Sequence, residues 1–115
     1  MKINDRIKKE NDRLLNLFDN MDGKKKSVIL GLIERAAFMR VTLEDLEADI
    51  NISGMTEKFK QGENQPEYTR ERPAARLYNT MNASYQKIVN QLTNLLPADE
   101  QSDEFDDFEE FRRAG

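Results

Sequence analysis

Two sets of side chains in this 115-residue chain have the types and spacings to do chemistry. The first is cationic. Lys24, Lys25 and Lys26 follow a turn at Asp22-Gly23, and Lys8, Lys9, Arg13, Arg35 and Arg40 fall within the same first forty residues. Lysines beside the free backbone donors of a helix start suit phosphate oxygens, so Lys24, Lys25 and Lys26 are candidate phosphate contacts. The plainer reading is a solvated turn, since a helix N-terminus is electrostatically the wrong end for cations. The second set is aromatic. Phe105, Phe108 and Phe111 stand three apart among eight acids. At helical spacing the rings share one face, ready for an apolar groove on a protein partner. The alternative is that they fold back onto the chain's own helices.

Catalysis finds little to work with. The chain has no His and no Cys, which removes thiol chemistry, disulfides, the usual zinc sites and any imidazole relay. The carboxylate pairs Glu44 and Glu47, Asp106 and Asp107, and Glu109 and Glu110 have nothing beside them to exclude water or complete a metal shell. The run GKKKS lacks the first glycine and the spacing of a phosphate-binding loop. The expectation is a binding or structural protein, not an enzyme, with no metal and no cofactor.

The elements that must position these residues are helices. Residues 2–21 place Ile7, Leu14, Phe18 and Met21 on one stripe, with Ile3 extending it. After Asp22, placed to cap the next helix, residues 27–51 carry Ile29, Leu32, Ala36, Met39, Leu43, Leu46 and Ile50 at alternating spacings of three and four. Leu30, Ile33, Ala37 and Val41 make a second apolar row. A helix with two such rows covers more than one neighbour, which implies a bundle or an oligomer. Its last third, LEDLEADI, holds four acids, so DNA belongs nearer its start.

Residues 52–71 break the helical period, and GMTEKFK, QGENQ and EYTR read as a possible short β-hairpin or an ordered loop. Gly62 is expected to supply a positive φ at the turn. A last helix runs from Pro73 to Leu96. Proline suits its first turn, and Pro97 cannot extend it. Ala74, Leu77, Met81, Tyr85, Ile88, Leu92 and Leu95 form its apolar stripe, while Asn79, Asn82, Asn90, Asn94, Gln86 and Gln91 make the other face polar and nearly uncharged. Amides cost less to desolvate than charges, which favours contact with a neighbouring subunit. The candidate contacts between copies are Ile29, Leu32, Met39, Leu43, Leu46, Tyr78 and Tyr85.

The fold class is therefore mainly α: long antiparallel helices in a bundle, a possible hairpin between the last two, and an acidic C-terminal tail. Residues 1–97 form the helical, oligomerising and DNA-contacting domain, and 98–115 the Phe-bearing tail. Charge follows the same division. The net charge is -4, but the tail holds eight acids and two arginines, while residues 1–40 hold ten bases and six acids. A basic head and an acidic tail raise the expectation of nucleic acid at one end and protein at the other. No run approaches the ~20 apolar residues of a membrane span, and none behind the charged start resembles a signal peptide.

The stretch LEDLEADINISG, the polar insert EKFKQGENQPEYTRERP and AARLYNTMNASYQKIVNQLTNLLP together resemble the small terminase subunits of tailed bacteriophages and their satellite elements. The residues that carry the resemblance are Leu46, Asp49, Ile50, Gly54, Gly62, Arg72, Pro73, Tyr78, Asn79, Tyr85, Gln91, Leu92, Leu95, Leu96 and Pro97, over residues 43–97. It implies a non-catalytic part of a genome-packaging motor in the host cytoplasm. Such a subunit forms a ring homo-oligomer, binds double-stranded DNA, and docks the large ATPase and nuclease subunit through its C-terminal segment. Many such proteins carry a separate helix-turn-helix domain, for which this chain has no room. The resemblance therefore implies backbone contact by residues 2–40, with Lys8, Lys9, Arg13, Lys24, Lys25, Lys26, Arg35 and Arg40 as the candidate DNA contacts. The competing expectation is a small mobile-element adaptor or inhibitor that binds a protein target and not DNA.

Overall fold

The computed structural model describes residues 2–18 and 23–96. It contains three helices, α1 (Ile3–Asn16), α2 (Gly23–Ser53) and α3 (Pro73–Leu95), with strands β1 (Thr56–Phe59) and β2 (Tyr68–Glu71) between the last two. The mainly helical reading and the hairpin both hold. The Asp22 cap, Met21 and the tail lie outside the described residues. The first helix is shorter than its apolar stripe implies. It ends at Asn16, where the last turn tightens and the Leu17 and Phe18 amides donate to the carbonyls of Leu14 and Leu15 at 3.1 and 3.0 Å.

At 31 residues α2 is about 46 Å long, and it is the shared partner of the other two helices. Its two apolar rows explain why. Cross-contacts fix the directions: Arg6 reaches Asp45 while Glu10 meets Arg40, and Arg72 meets Asp49 while Tyr78 meets Glu47. Both α1 and α3 thus run antiparallel to α2. Leu14 of α1 and Phe18 just past its end, Ile29, Ile33, Ala36 and Leu43 of α2, and Tyr85, Val89, Leu92 and Leu96 from α3 and its end form one buried cluster. Each large aliphatic side chain removed from water there contributes about 1.5–3 kcal/mol. The buried Thr93 hydroxyl donates to the Val89 carbonyl at 2.8 Å, so it enters the core with its polar demand met.

The buried face of α3 shares Tyr85 and Leu92 with the expected stripe but is rotated from it toward Val89. Ala75, Tyr85, Val89, Leu92 and Thr93 are buried, whereas Leu77 is 48% exposed. Met81, Ile88 and Leu95 flank the core half-buried. The helix has apolar residues over a wide arc, and the approach of α2 selects the Tyr85–Val89–Leu92 line within it.

The hairpin pairs Thr56 with Glu71, Glu57 with Arg70, Lys58 with Thr69 and Phe59 with Tyr68, antiparallel. Across it, Arg70 donates to Glu57 at 2.7 Å and lies 3.5 Å over the Phe59 ring, which meets Tyr68 edge-on. Glycine is required at Gly54, not at the loop's Gly62. Gly54 has φ 79°, and it is the one residue described with a positive φ. There the left-handed conformation ends α2, and the Gly54 amide donates back to Ile50 at 2.7 Å.

Candidate nucleic-acid and partner surfaces

The bundle divides the eight candidate cations into two kinds. Arg13 grips Glu10 from the same helix with two hydrogen bonds, Nε to Oε1 at 2.7 Å and Nη2 to Oε2 at 2.9 Å. Arg40, from α2, approaches the same carboxylate at 3.3 Å. Glu10 therefore bridges α1 to α2, with an arginine on either side. Arg6 closes the far end of this helix pair on Asp45, at 2.6 Å, with Glu44 at 3.9 Å. Arg6, Lys9, Glu10, Arg13, Arg40 and Glu44 line an open depression of about 340 Å³. Its charges are mixed and largely self-neutralised. It ties two helices together.

The other six cations behave differently. Lys8, Lys9, Lys24, Lys25, Lys26 and Arg35 are exposed, and no ion pair among the described residues holds them. The lysine triplet stands in the first turn of α2, as its spacing predicts, although that helix already begins at Gly23. With the unspent amide groups of the turn it makes a concentrated positive end.

The residues expected between copies are mostly spent within one. Ile29, Leu43 and Tyr85 are 1%, 0% and 1% exposed and belong to the protomer's own core. Leu32, Met39 and Tyr78 pack against that core half-buried, and Leu46 is half-buried too. The correction has a simple cause. A heptad seam specifies an apolar neighbour without saying whether that neighbour belongs to the same chain.

Two phenols are strongly perturbed. Tyr78 donates to Glu47 at 2.9 Å, and its pKa is pushed up to about 12, by burial first and then by the hydrogen bond and charge of that carboxylate. Tyr85 also rises to about 12 because it is buried, although the nearby Arg40 and Arg13 charges pull the other way. Both stay protonated near neutrality and act as packing and hydrogen-bonding groups.

One cluster escaped the sequence. Arg72 donates to the Asp49 carboxylate and to the Gly54 carbonyl, and its own amide donates to Met55 at 2.9 Å. Asp49, Gly54, Arg72 and Tyr78 all carry the resemblance noted above, and in the fold they are joints between helices and hairpin. The signals for Arg72 were its place immediately before Pro73 and its part in that resemblance, and neither named its partners. Among the described residues no helix is long and apolar enough to cross a membrane, and no group of three His, Cys, Asp or Glu side chains converges as metal ligands. Phe105, Phe108 and Phe111 lie outside the described residues. The chain matches no known protein family, no curated protein and no solved structure.

Proposed function

We propose that this chain is a non-catalytic small terminase subunit of a viral DNA-packaging motor. It acts in the host cytoplasm as a homo-oligomer and holds double-stranded DNA by its phosphates through Lys8, Lys9, Lys24, Lys25, Lys26 and Arg35. Phe105, Phe108 and Phe111 of the acidic tail dock the large ATPase and nuclease subunit. The observation that carries the DNA half is the division of the cations. Arg6, Arg13 and Arg40 are neutralised at helix joints, while six others project from the first forty residues free of ion pairs with described residues. Free lysines on a surface are what counterion release requires. The resemblance over residues 43–97 supplies the motor context.

Fluorescence anisotropy with a labelled duplex over a salt series tests this reading. Binding should weaken steeply with salt, and changing Lys24, Lys25 and Lys26 together to Ala should flatten the log–log slope by up to about 2.7, at about 0.9 per lost phosphate contact. No binding at low salt removes the DNA half.

A second reading is favoured by the net charge of -4 and by the tail's eight acids. In it the chain is a mobile-element adaptor or inhibitor that engages a protein alone. Deleting residues 98–115 separates the two: DNA binding survives in the first, and all activity is lost in the second.

A further inference from the structure

With α1 and α3 set against it, α2 keeps one long face that no other described residue covers. Lys24, Gly31, Phe38 and Asp45 are spaced seven apart, so they form a single row along that face, and all four are exposed. Phe38 is 48% exposed, and Val28 beside the row is 62% exposed. Nothing among the described residues calls for glycine at position 31. Its φ is not positive, and a Cβ there would meet nothing within 4 Å. Yet glycine inside a helix weakens it relative to alanine. A large apolar side chain thus stands two turns from an unexplained gap on the same row.

We propose that this face is the contact between two copies of the chain, packed as antiparallel α2 helices about a twofold axis. The register follows from fitting Phe38 over the partner's Gly31, where the missing side chain admits a ring and lets the backbones approach. Symmetry makes that contact twice. The same register sets Lys24 against the partner's Asp45 at both ends, because positions 24 and 45 lie equally far outside 31 and 38. Charge favours this direction over the whole helix. Residues 23–40 carry five bases and one acid, and residues 41–53 carry four acids and no base. Antiparallel packing opposes these halves, whereas parallel packing aligns like with like.

The remaining groups on the face are compatible with the pairing. Asp45 already accepts from Arg6 at 2.6 Å, and a carboxylate can accept further donors. Thr42 turns its hydroxyl to the Phe38 carbonyl at 2.9 Å, which leaves that group satisfied. Glu34 and Arg35 fall on opposite sides of the axis, each beside its own copy. Both are exposed, so solvent and salt screen that repulsion. The pairing is isologous and closes at two, and it does not depend on DNA binding.

Sedimentation equilibrium of the full chain, without DNA, tests it. The expected mass is twice the 13.4 kDa of one chain over a concentration series reaching the high-micromolar range. Gly31→Leu and Phe38→Ala should each give monomers whose helical circular dichroism is undiminished. A monomer at every concentration for the parent chain, or a dimer that survives Gly31→Leu, overturns the proposal. Direction and register are read separately, helped by the absence of native cysteine. A short dimaleimide should link two chains carrying both Lys24→Cys and Asp45→Cys. Neither single variant should link, since identical positions sit about 31 Å apart along the pair. Linkage by the single variants overturns the antiparallel register.

Discussion

Arg72 and Asp49 meet at 2.8 Å across the base of the hairpin, joining the start of α3 to the end of α2. The same guanidinium reaches the Gly54 carbonyl at 2.6 Å. One side chain therefore secures a carboxylate on one helix and the backbone turn that leaves it. A two-stranded hairpin is marginal alone, and this joint holds it to the bundle.

Replacing Arg72 with Ala should lower stability by about 1.5–3 kcal/mol, the range for hydrogen bonds to charged groups. Arg72→Lys should recover little, because an ammonium cannot reproduce the planar fork that reaches both acceptors. Urea unfolding followed by circular dichroism measures both, and a cycle with Asp49→Ala isolates their coupling. Additive losses would show that the two do not act as a pair.

Gly54→Ala should destabilise by about 1–2 kcal/mol, since a side chain at φ 79° crowds its own backbone. Gly62→Ala should be close to neutral. Its φ is not positive, and its new Cβ would sit 3.8 Å from Gln65, an ordinary contact. Equal losses at the two glycines would move the special backbone position back to the loop.

Leu92→Ala should cost about 2–5 kcal/mol by leaving a cavity at a fully buried site. Leu77→Ala, from the expected stripe but 48% exposed, should stay within about 0.5 kcal/mol. Chemical denaturation midpoints distinguish them. The reverse order would restore the face that periodicity alone selects.

High pH should loosen the bundle through its phenols. Tyr78 and Tyr85 have folded pKa values of about 12 against an ordinary 10. Their contribution to stability is thus complete below pH 10 and is lost as pH rises from there through 12. Ultraviolet titration should find two phenols ionising near pH 12 in the folded protein and near 10 in urea. Ionisation of both near 10 without unfolding would contradict the burial of Tyr85 and the Tyr78–Glu47 bond.

Much of the fold is legible residue by residue. The apolar spacing from Ile29 to Ile50 marks α2 and Pro73 marks the start of α3, local rules set by the 3.6-residue period and by the chemistry of proline. Residues 52–71 read as either a hairpin or an ordered loop, a choice the structure makes for the hairpin. The candidate cations were legible as types, but their partners were not. That Arg13 and Arg40 share Glu10 depends on α1 lying beside α2, a relation that no spacing within either helix contains.

The chain by itself determined three helices, a break in the helical period between the last two, a basic head and an acidic end, because backbone periodicity and composition belong to the sequence. Tertiary structure decided which apolar rows meet. The seam through Ile29 and Leu43 closes within the chain's own core, and Gly54 rather than Gly62 adopts the left-handed turn. It also decided that no other described residue covers the row from Lys24 to Asp45. The reason is physical: α2 has apolar residues on several sides, so no single direction is inward until its neighbours occupy two of them.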